Sequence, residues 1–110
     1  MFSRLTIMEV KPDKIDETIR IYRESVIPEA KKQRGFLGAY LLLDRKVAKG
    51  ISLTLWSSEK DASANEDNLY YQEQLVKFLN FYSGPPIKEG YEVILQVTKK
   101  PGATRAKKGK

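Results

Sequence analysis

The sequence predicts an α+β domain in which a four-stranded antiparallel sheet carries helices on one face, and three observations support that reading. Apolar runs and apolar stripes alternate along the chain in the order β-α-β-β-α-β. The second and third runs are separated only by a short charged turn, as in a hairpin. Strands 2, 3 and 4 are apolar at both parities, as strands covered on both faces are.

Each element has its own signal. Residues 2–10 combine Phe, Leu, Ile, Met and Val with Thr, the composition of a first strand. Lys11-Pro12-Asp13 ends it; Asp13 is the expected N-cap of the next helix, and Asp16 and Glu17 favour that helix's positive end. Ile15, Ile19, Tyr22, Val26 and Ala30 then draw one apolar helical stripe. Pro28 is expected to kink this helix or split off its last turn, and Gly35 to stop it. Residues 36–43 form the second strand, residues 44–50 the charged turn and residues 51–56 the returning third strand. Ser58 with Asp61 resembles a capping box and opens a short helix. After Asn65 a longer helix is expected to present Asn68, Tyr71, Leu75, Phe78 and Tyr82 along one face until Gly84-Pro85-Pro86 ends it. Residues 91–97 are the expected last strand.

This order is the split βαβ, or ferredoxin-like, arrangement. Its helices cover one sheet face only, yet Leu41, Leu42 and Leu43, Leu53 to Trp56, and Val93, Ile94 and Leu95 offer apolar side chains to both. A second copy of the chain is the simplest cover, so a homodimer joined through sheet faces is expected.

Composition sets the limits. A length of 110 residues makes one domain, and 41% apolar with 31% charged residues is a globular balance. No run approaches the roughly 20 apolar residues of a membrane span, and the start lacks a signal-peptide core, so a cytoplasmic protein is expected. The chain has no Cys and no His. Disulfides, thiolate nucleophiles, histidine acid–base catalysis and the usual zinc, iron–sulfur and heme ligands are thereby excluded. The net charge is +6, but Lys99, Lys100, Arg105, Lys107, Lys108 and Lys110 supply six of the 20 cations with no acid among them, which leaves 14 cations against 14 acids. The expected organisation is a neutral folded domain over residues 1–98 and a basic disordered tail over residues 99–110. Any contact with nucleic acid or an anionic surface would be weak and made by that tail.

Candidate site residues follow from the stripes. Trp56 ends the third strand, either as a packing residue or as an aromatic wall for a flat ligand. Asn65 and Asn68 lie where two helices should meet; capping is one reading, and a cavity-facing Asn68 bonding a ligand oxygen is the other. Tyr22 and Tyr71 lie on inward stripes and either edge the core or donate phenolic hydrogen bonds. Arg4, Thr6 and Met8, one parity of strand 1, are expected to share a semi-polar surface with Ser52, Thr54 and Trp56 and with Glu92, Ile94 and Gln96. That surface lines either a cavity or the dimer seam, and Arg4 and Glu92 are placed to pair across strands. No phosphate-binding glycine loop occurs, and the carboxylates form a solvated face with no metal site.

Residues 2–10 followed by Lys11-Pro12-Asp13-Lys14, then Tyr22-Arg23-Glu24-Ser25-Val26-Ile27-Pro28, Gly35-Phe36-Leu37-Gly38 and Leu53-Thr54-Leu55-Trp56-Ser57-Ser58 together resemble the antibiotic biosynthesis monooxygenase domain family. The resemblance covers nearly all of residues 1–98 and implies a dimeric α/β barrel. Members that oxidise quinols or aromatic polyketides need neither metal nor flavin, because the substrate anion itself reduces O₂. No cofactor is therefore expected, and the ligand would be a small aromatic or phenolic molecule. Candidate catalytic residues are Asn68, Tyr71, Trp56 and Arg4, with Thr6, Met8, Tyr22 and Leu75 lining the pocket. The family's heme-degrading branch relies on an Asn, a Trp and a His at positions held here by Thr6, Asn65 and Leu75, so heme degradation is not expected. The alternative function is a non-catalytic dimeric module that binds a small ligand.

Overall fold

Strand β1 (Phe2–Glu9) is the axis of the sheet because it pairs antiparallel on both sides, with β3 (Lys49–Trp56) and with β4 (Ile87–Glu92). Strand β2 (Phe36–Asp44) pairs with β3 alone, which gives the order β2-β3-β1-β4. The computed structural model describes residues 1–99. The predicted ferredoxin-like α+β class is the one observed. The basic tail lies outside the described residues, apart from Lys99.

The first helical region is interrupted as Pro28 requires. Helix α1 (Ile15–Ile21) widens over residues 22–26 into a π-type turn, where Ile27 N–H reaches back five residues to the Tyr22 carbonyl, and α2 (Ile27–Ala30) follows. Pro28 has no N–H to donate and its ring crowds the preceding turn, so an extra residue is accommodated just before it. Asp13 is not the N-cap that the sequence suggested. It lies inside a 3₁₀ turn (Pro12–Lys14), where Pro12 presets the backbone and no side chain caps. Gly35 does stop the region, at φ +82°, and a side chain there would collide with Asp61.

Helix α3 (Glu59–Asp67) opens on Ser58, whose Oγ accepts from Asp61 N–H at 3.1 Å. The Asp61 carboxylate does not complete the capping box, because it takes the hydroxyl proton of Ser57 instead. The single long helix expected after Asn65 is also divided. Asn68 is the C-cap of α3, Leu69 turns left-handed at φ +71°, and α4 (Tyr70–Val76) starts in a new phase before a last 3₁₀ turn (Leu79–Phe81).

The largest correction concerns the last strand. Register is set by Phe2 opposite Glu92, and Val93 N–H to Met1 O at 2.9 Å is the final rung. Residues 93–97, expected to be the strand, therefore lie past the end of β1, with Ile94, Leu95 and Val97 81%, 79% and 80% exposed. The run was chosen for its apolar character; pairing is set by the register and by backbone geometry.

Helices cover one sheet face, and the core there falls into two clusters. One joins Met8, Val10, Ile15, Tyr22, Val26, Phe78 and Phe81; the other joins Phe2, Trp56 and Ala62 with Phe36. The opposite face carries half-buried Leu5, Ile7, Ile51, Leu53 and Leu55 and exposed Tyr40, Leu42, Ile87 and Tyr91, with no helix over it. No helix among the described residues is long and apolar enough to cross a membrane.

Candidate functional site

Between the two core clusters, under α3 and α4, lies a cavity whose enclosed part measures about 60 Å³ and whose empty space up to the open mouth is about 580 Å³. Its floor is one face of the sheet. Alternation brings Arg4, Thr6 and Met8 from β1 beside Ser52, Thr54 and Trp56 from β3, because Arg4 stands opposite Thr54 and Thr6 opposite Ser52. Its roof comes from Tyr70, Tyr71, Gln74 and Leu75, and its far wall from Phe78 and Tyr82.

The polar groups in this wall are mostly satisfied by one another. Tyr71 Oη and Thr6 Oγ1 are 2.6 Å apart, and Tyr22 Oη and Ser52 Oγ 2.8 Å apart. The Trp56 indole N–H donates to Thr54 Oγ1 at 2.9 Å, and the Thr54 hydroxyl donates to the Arg4 carbonyl at 3.4 Å. Trp56 is 2% exposed, so its ring is both core and cavity wall, stacked edge-on against Phe36 at 5.5 Å. Lys77 Nζ ties the end of α4 to the π-type turn by donating to Ser25 Oγ at 2.8 Å.

A charged cluster stands at the β4 side of the cavity. Arg4 Nε and Glu66 Oε2 approach to 2.7 Å, but the N–H is poorly aligned, so the contact is an ion pair rather than a hydrogen bond. Lys88 Nζ reaches the other Glu66 oxygen at 3.1 Å and lies 5.6 Å from the centre of the Tyr71 ring. One carboxylate is thus shared by two cations, which leaves the cluster net positive. Burial pushes the Tyr71 phenol above its usual range; the Thr6 bond and Arg4 oppose the rise, and Glu66 adds to it. Tyr22 and Tyr70 are raised for the same first reason, and Tyr82 is pushed up to about 12 by burial and by Tyr71. All four phenols are protonated at neutral pH and act as hydrogen-bonding hydroxyls, not bases.

Of the residues singled out in the sequence, Arg4, Trp56, Tyr71, Thr6, Met8, Tyr22 and Leu75 line this one cavity. Asn68 does not: it is exposed at the α3 C-terminus, and its Oδ1 accepts Tyr70 N–H at 3.0 Å. Asn65 lines the cavity in its place, buried and donating to the Asp61 carbonyl at 2.8 Å. Arg4 pairs with Glu66 rather than Glu92, since Gly90 stands opposite Arg4 and Glu92 opposite Phe2. Lys88 and Gly90 accordingly occupy the positions on this face expected of Ile94 and Gln96. Tyr70 and Tyr82 were not expected in the wall. The left-handed turn at Leu69 admits Tyr70 by resetting the helical phase, and Tyr82 was legible as a member of the Tyr71-Leu75-Phe78 stripe.

No family model matches the chain. Two uncharacterized proteins of Mycobacterium tuberculosis are each 33% identical over 64 residues, which is 58% of this chain and 29% of theirs, so the chain spans less than a third of these relatives. Solved structures match over much more of the chain. A monooxygenase of Streptomyces coelicolor in complex with nanaomycin D superposes with TM-score 0.73 at 16% identity, covering 90% of this chain and 92% of that one. A protein assigned as an antibiotic biosynthesis monooxygenase, from Nitrosomonas europaea, gives 0.69 at 16% identity over 86% of this chain and all of its own. A heme degrader of Mycobacterium tuberculosis with two hemes bound gives 0.67 at 17% identity over 89% of this chain and all of its own. Structures sharing this fold thus include members of the family that the sequence resembles, and identities this low establish the fold alone.

Proposed function

We propose that this chain is a homodimeric domain that takes a small flat aromatic or phenolic molecule under α3 and α4 and oxidises it with O₂, using no cofactor. The observation that carries this reading is the cavity itself, an apolar space walled by Trp56, Tyr22, Tyr70, Tyr71, Phe78 and Tyr82 with a few fixed hydroxyls and one cationic cluster. Its aromatic walls suit a planar ring. Its protonated Tyr71 hydroxyl, with Arg4 and Lys88 behind it, suits an oxygen on which negative charge gathers.

In this reaction a carbon acid such as an anthrone loses a proton, and its carbanion passes electrons to O₂. One oxygen atom stays on the substrate carbon as a carbonyl, and the other leaves as water with both hydrogens of the former methylene. Arg4 and Tyr71 stabilise the substrate oxyanion, while Trp56 and Phe78 keep water from the ring. Asn68, exposed at the end of α3, is assigned no part. Residues 1–98 are the functional unit.

The uncovered sheet face supports the dimer, since Leu5, Ile7, Leu42, Leu53 and Leu55 lie together on it, and residues 93–97 extend that apolar surface past the end of β1. A second reading, binding without chemistry, is favoured by one observation. Glu66, the carboxylate at the cavity's charged side, is held by two cations, and each phenol in the wall is raised, so proton removal falls to the substrate's own acidity.

Oxygen uptake against a panel of quinols and anthrones, with autoxidation subtracted, separates the two. Uptake proportional to protein without added metal or flavin supports oxidation. Saturable binding with no uptake above the blank leaves the binding module, and no binding of any ring compound refutes both.

A further inference from the structure

Tyr82 is the one phenol of the cavity wall whose hydroxyl is both shielded from solvent and without a hydrogen-bond partner among the described residues. Tyr22 and Tyr71 are paired with Ser52 and Thr6. The position of Tyr82 is set by the backbone, which bridges to Val10 and is flanked by Lys11 N–H to Phe81 O at 2.7 Å and by Ser83 N–H to Glu9 O at 2.8 Å. Because Val10 shares the parity of Met8 and Thr6, the bridge turns Tyr82 to the helix side of the sheet, where its ring packs 6.5 Å from that of Phe78.

A buried hydroxyl with no partner disfavours the folded state, and a rigid backbone maintains that arrangement whether or not a ligand is present. The same group becomes favourable when a ligand atom completes its hydrogen bond. Burial holds the phenol protonated, so it donates.

We propose that Tyr82 is the polar anchor of the cavity, its hydroxyl donating to a hydroxyl or carbonyl oxygen borne on the ring of a fused-ring aromatic ligand. This rests on the reading of the cavity as an aromatic site and adds the ligand class: a bicyclic or larger ring carrying at least one oxygen at its inner end. A bare hydrocarbon of the same shape would leave the Tyr82 hydroxyl unpaired and bind more weakly.

The test compares naphthol with naphthalene, by calorimetric titration, on the whole chain, on Tyr82→Phe and on Tyr71→Phe, with a thermal melt of each protein. The expected result is a preference of about tenfold for naphthol in the wild type, the scale of one hydrogen bond to a buried group. Tyr82→Phe should erase that preference, leave naphthalene binding unchanged and melt no lower than the wild type, because no existing bond is lost. Retention of the preference in Tyr82→Phe, its loss only in Tyr71→Phe, or equal wild-type binding of both compounds overturns the anchor and leaves the aromatic site standing. A Tyr82→Phe protein that melts well below the wild type overturns it too, since the hydroxyl then has a partner in the fold. If neither compound binds the wild type, the aromatic site itself fails and the anchor falls with it.

Discussion

Tyr71 Oη and Thr6 Oγ1 stand 2.6 Å apart, which joins a helix with no fully buried side chain to the middle of the central strand. Removing the phenol oxygen in Tyr71→Phe leaves the buried Thr6 hydroxyl unpaired. The expected loss is about 1–2 kcal/mol, or roughly 4–10 °C in melting temperature for a domain of this size. The double variant Tyr71→Phe, Thr6→Val should recover part of it. A thermal melt of the three proteins checks this, and an unchanged Tyr71→Phe melt would show that the contact contributes nothing.

Alkaline pH should unfold the protein through its tyrosines. Folding raises the phenol pKa values of Tyr22, Tyr70, Tyr71 and Tyr82, so above about pH 10 the unfolded chain releases protons that the folded chain retains. Their contribution is complete below the unfolded value and is lost as pH rises through the folded values, Tyr82 at about 12. Denaturant titrations from neutral to strongly alkaline pH should show stability falling in that window, and falling less steeply in Tyr82→Phe.

Leu69 adopts a left-handed backbone at φ +71° with its side chain exposed, a conformation that L-residues resist by about 1 kcal/mol. Leu69→Gly should therefore stabilise the domain, by roughly 0.5–1 kcal/mol once the greater freedom of the unfolded chain is subtracted. Chemical denaturation provides the measurement. A destabilised glycine variant would mean that Leu69 makes contacts outweighing its backbone strain.

Gly90 lies against Arg4 and Phe2 so closely that a methyl group would overlap the guanidinium and the ring. Gly90→Ala should displace Arg4 from Glu66, lowering stability by about 1–3 kcal/mol, the range for overpacking. The cationic side of the cavity moves with it, so naphthoate binding should weaken more than naphthalene binding. Equal weakening of both would separate Arg4 from ligand recognition.

Leu42→Lys on the uncovered face and Ile94→Ser beyond β1 change side chains that are 47% and 81% exposed in the single chain. Neither should alter the fold, and their far-ultraviolet spectra should match the wild type. Sedimentation should show the wild type as a dimer and the double variant as a monomer; a wild-type monomer refutes the sheet-face pairing.

The fold was legible because its signals are local: the Pro28 interruption, the Gly35 stop, the Ser58 cap and the hairpin are each written in a few adjacent residues. Most of the cavity was legible too, since parity alone brings Arg4, Thr6 and Met8 beside Ser52, Thr54 and Trp56. What failed depended on geometry with no composition signal. A left-handed Leu69 has no sequence mark, so Asn68 was read as continuing the helix and facing the cavity when it ends α3 and faces solvent. The last strand was misplaced because residues 93–97 are more apolar than Ile87–Glu92, while register selects the latter. Glu66 was read as part of a solvated face, since its partners Arg4 and Lys88 are distant in sequence.

The sheet's two margins differ in how they meet other chains. The outer margin of β4 bears Lys88, Glu89 and Glu92, charges that discourage another strand from adding there. The margin formed by β2 bears no charge from Phe36 to Leu43. Face-to-face pairing maps one surface onto itself and closes at two copies, whereas strand addition along β2 propagates without limit. The apolar face that would join two copies would therefore also restrain growth, by holding β2 in a closed pair that an open fibril would have to break.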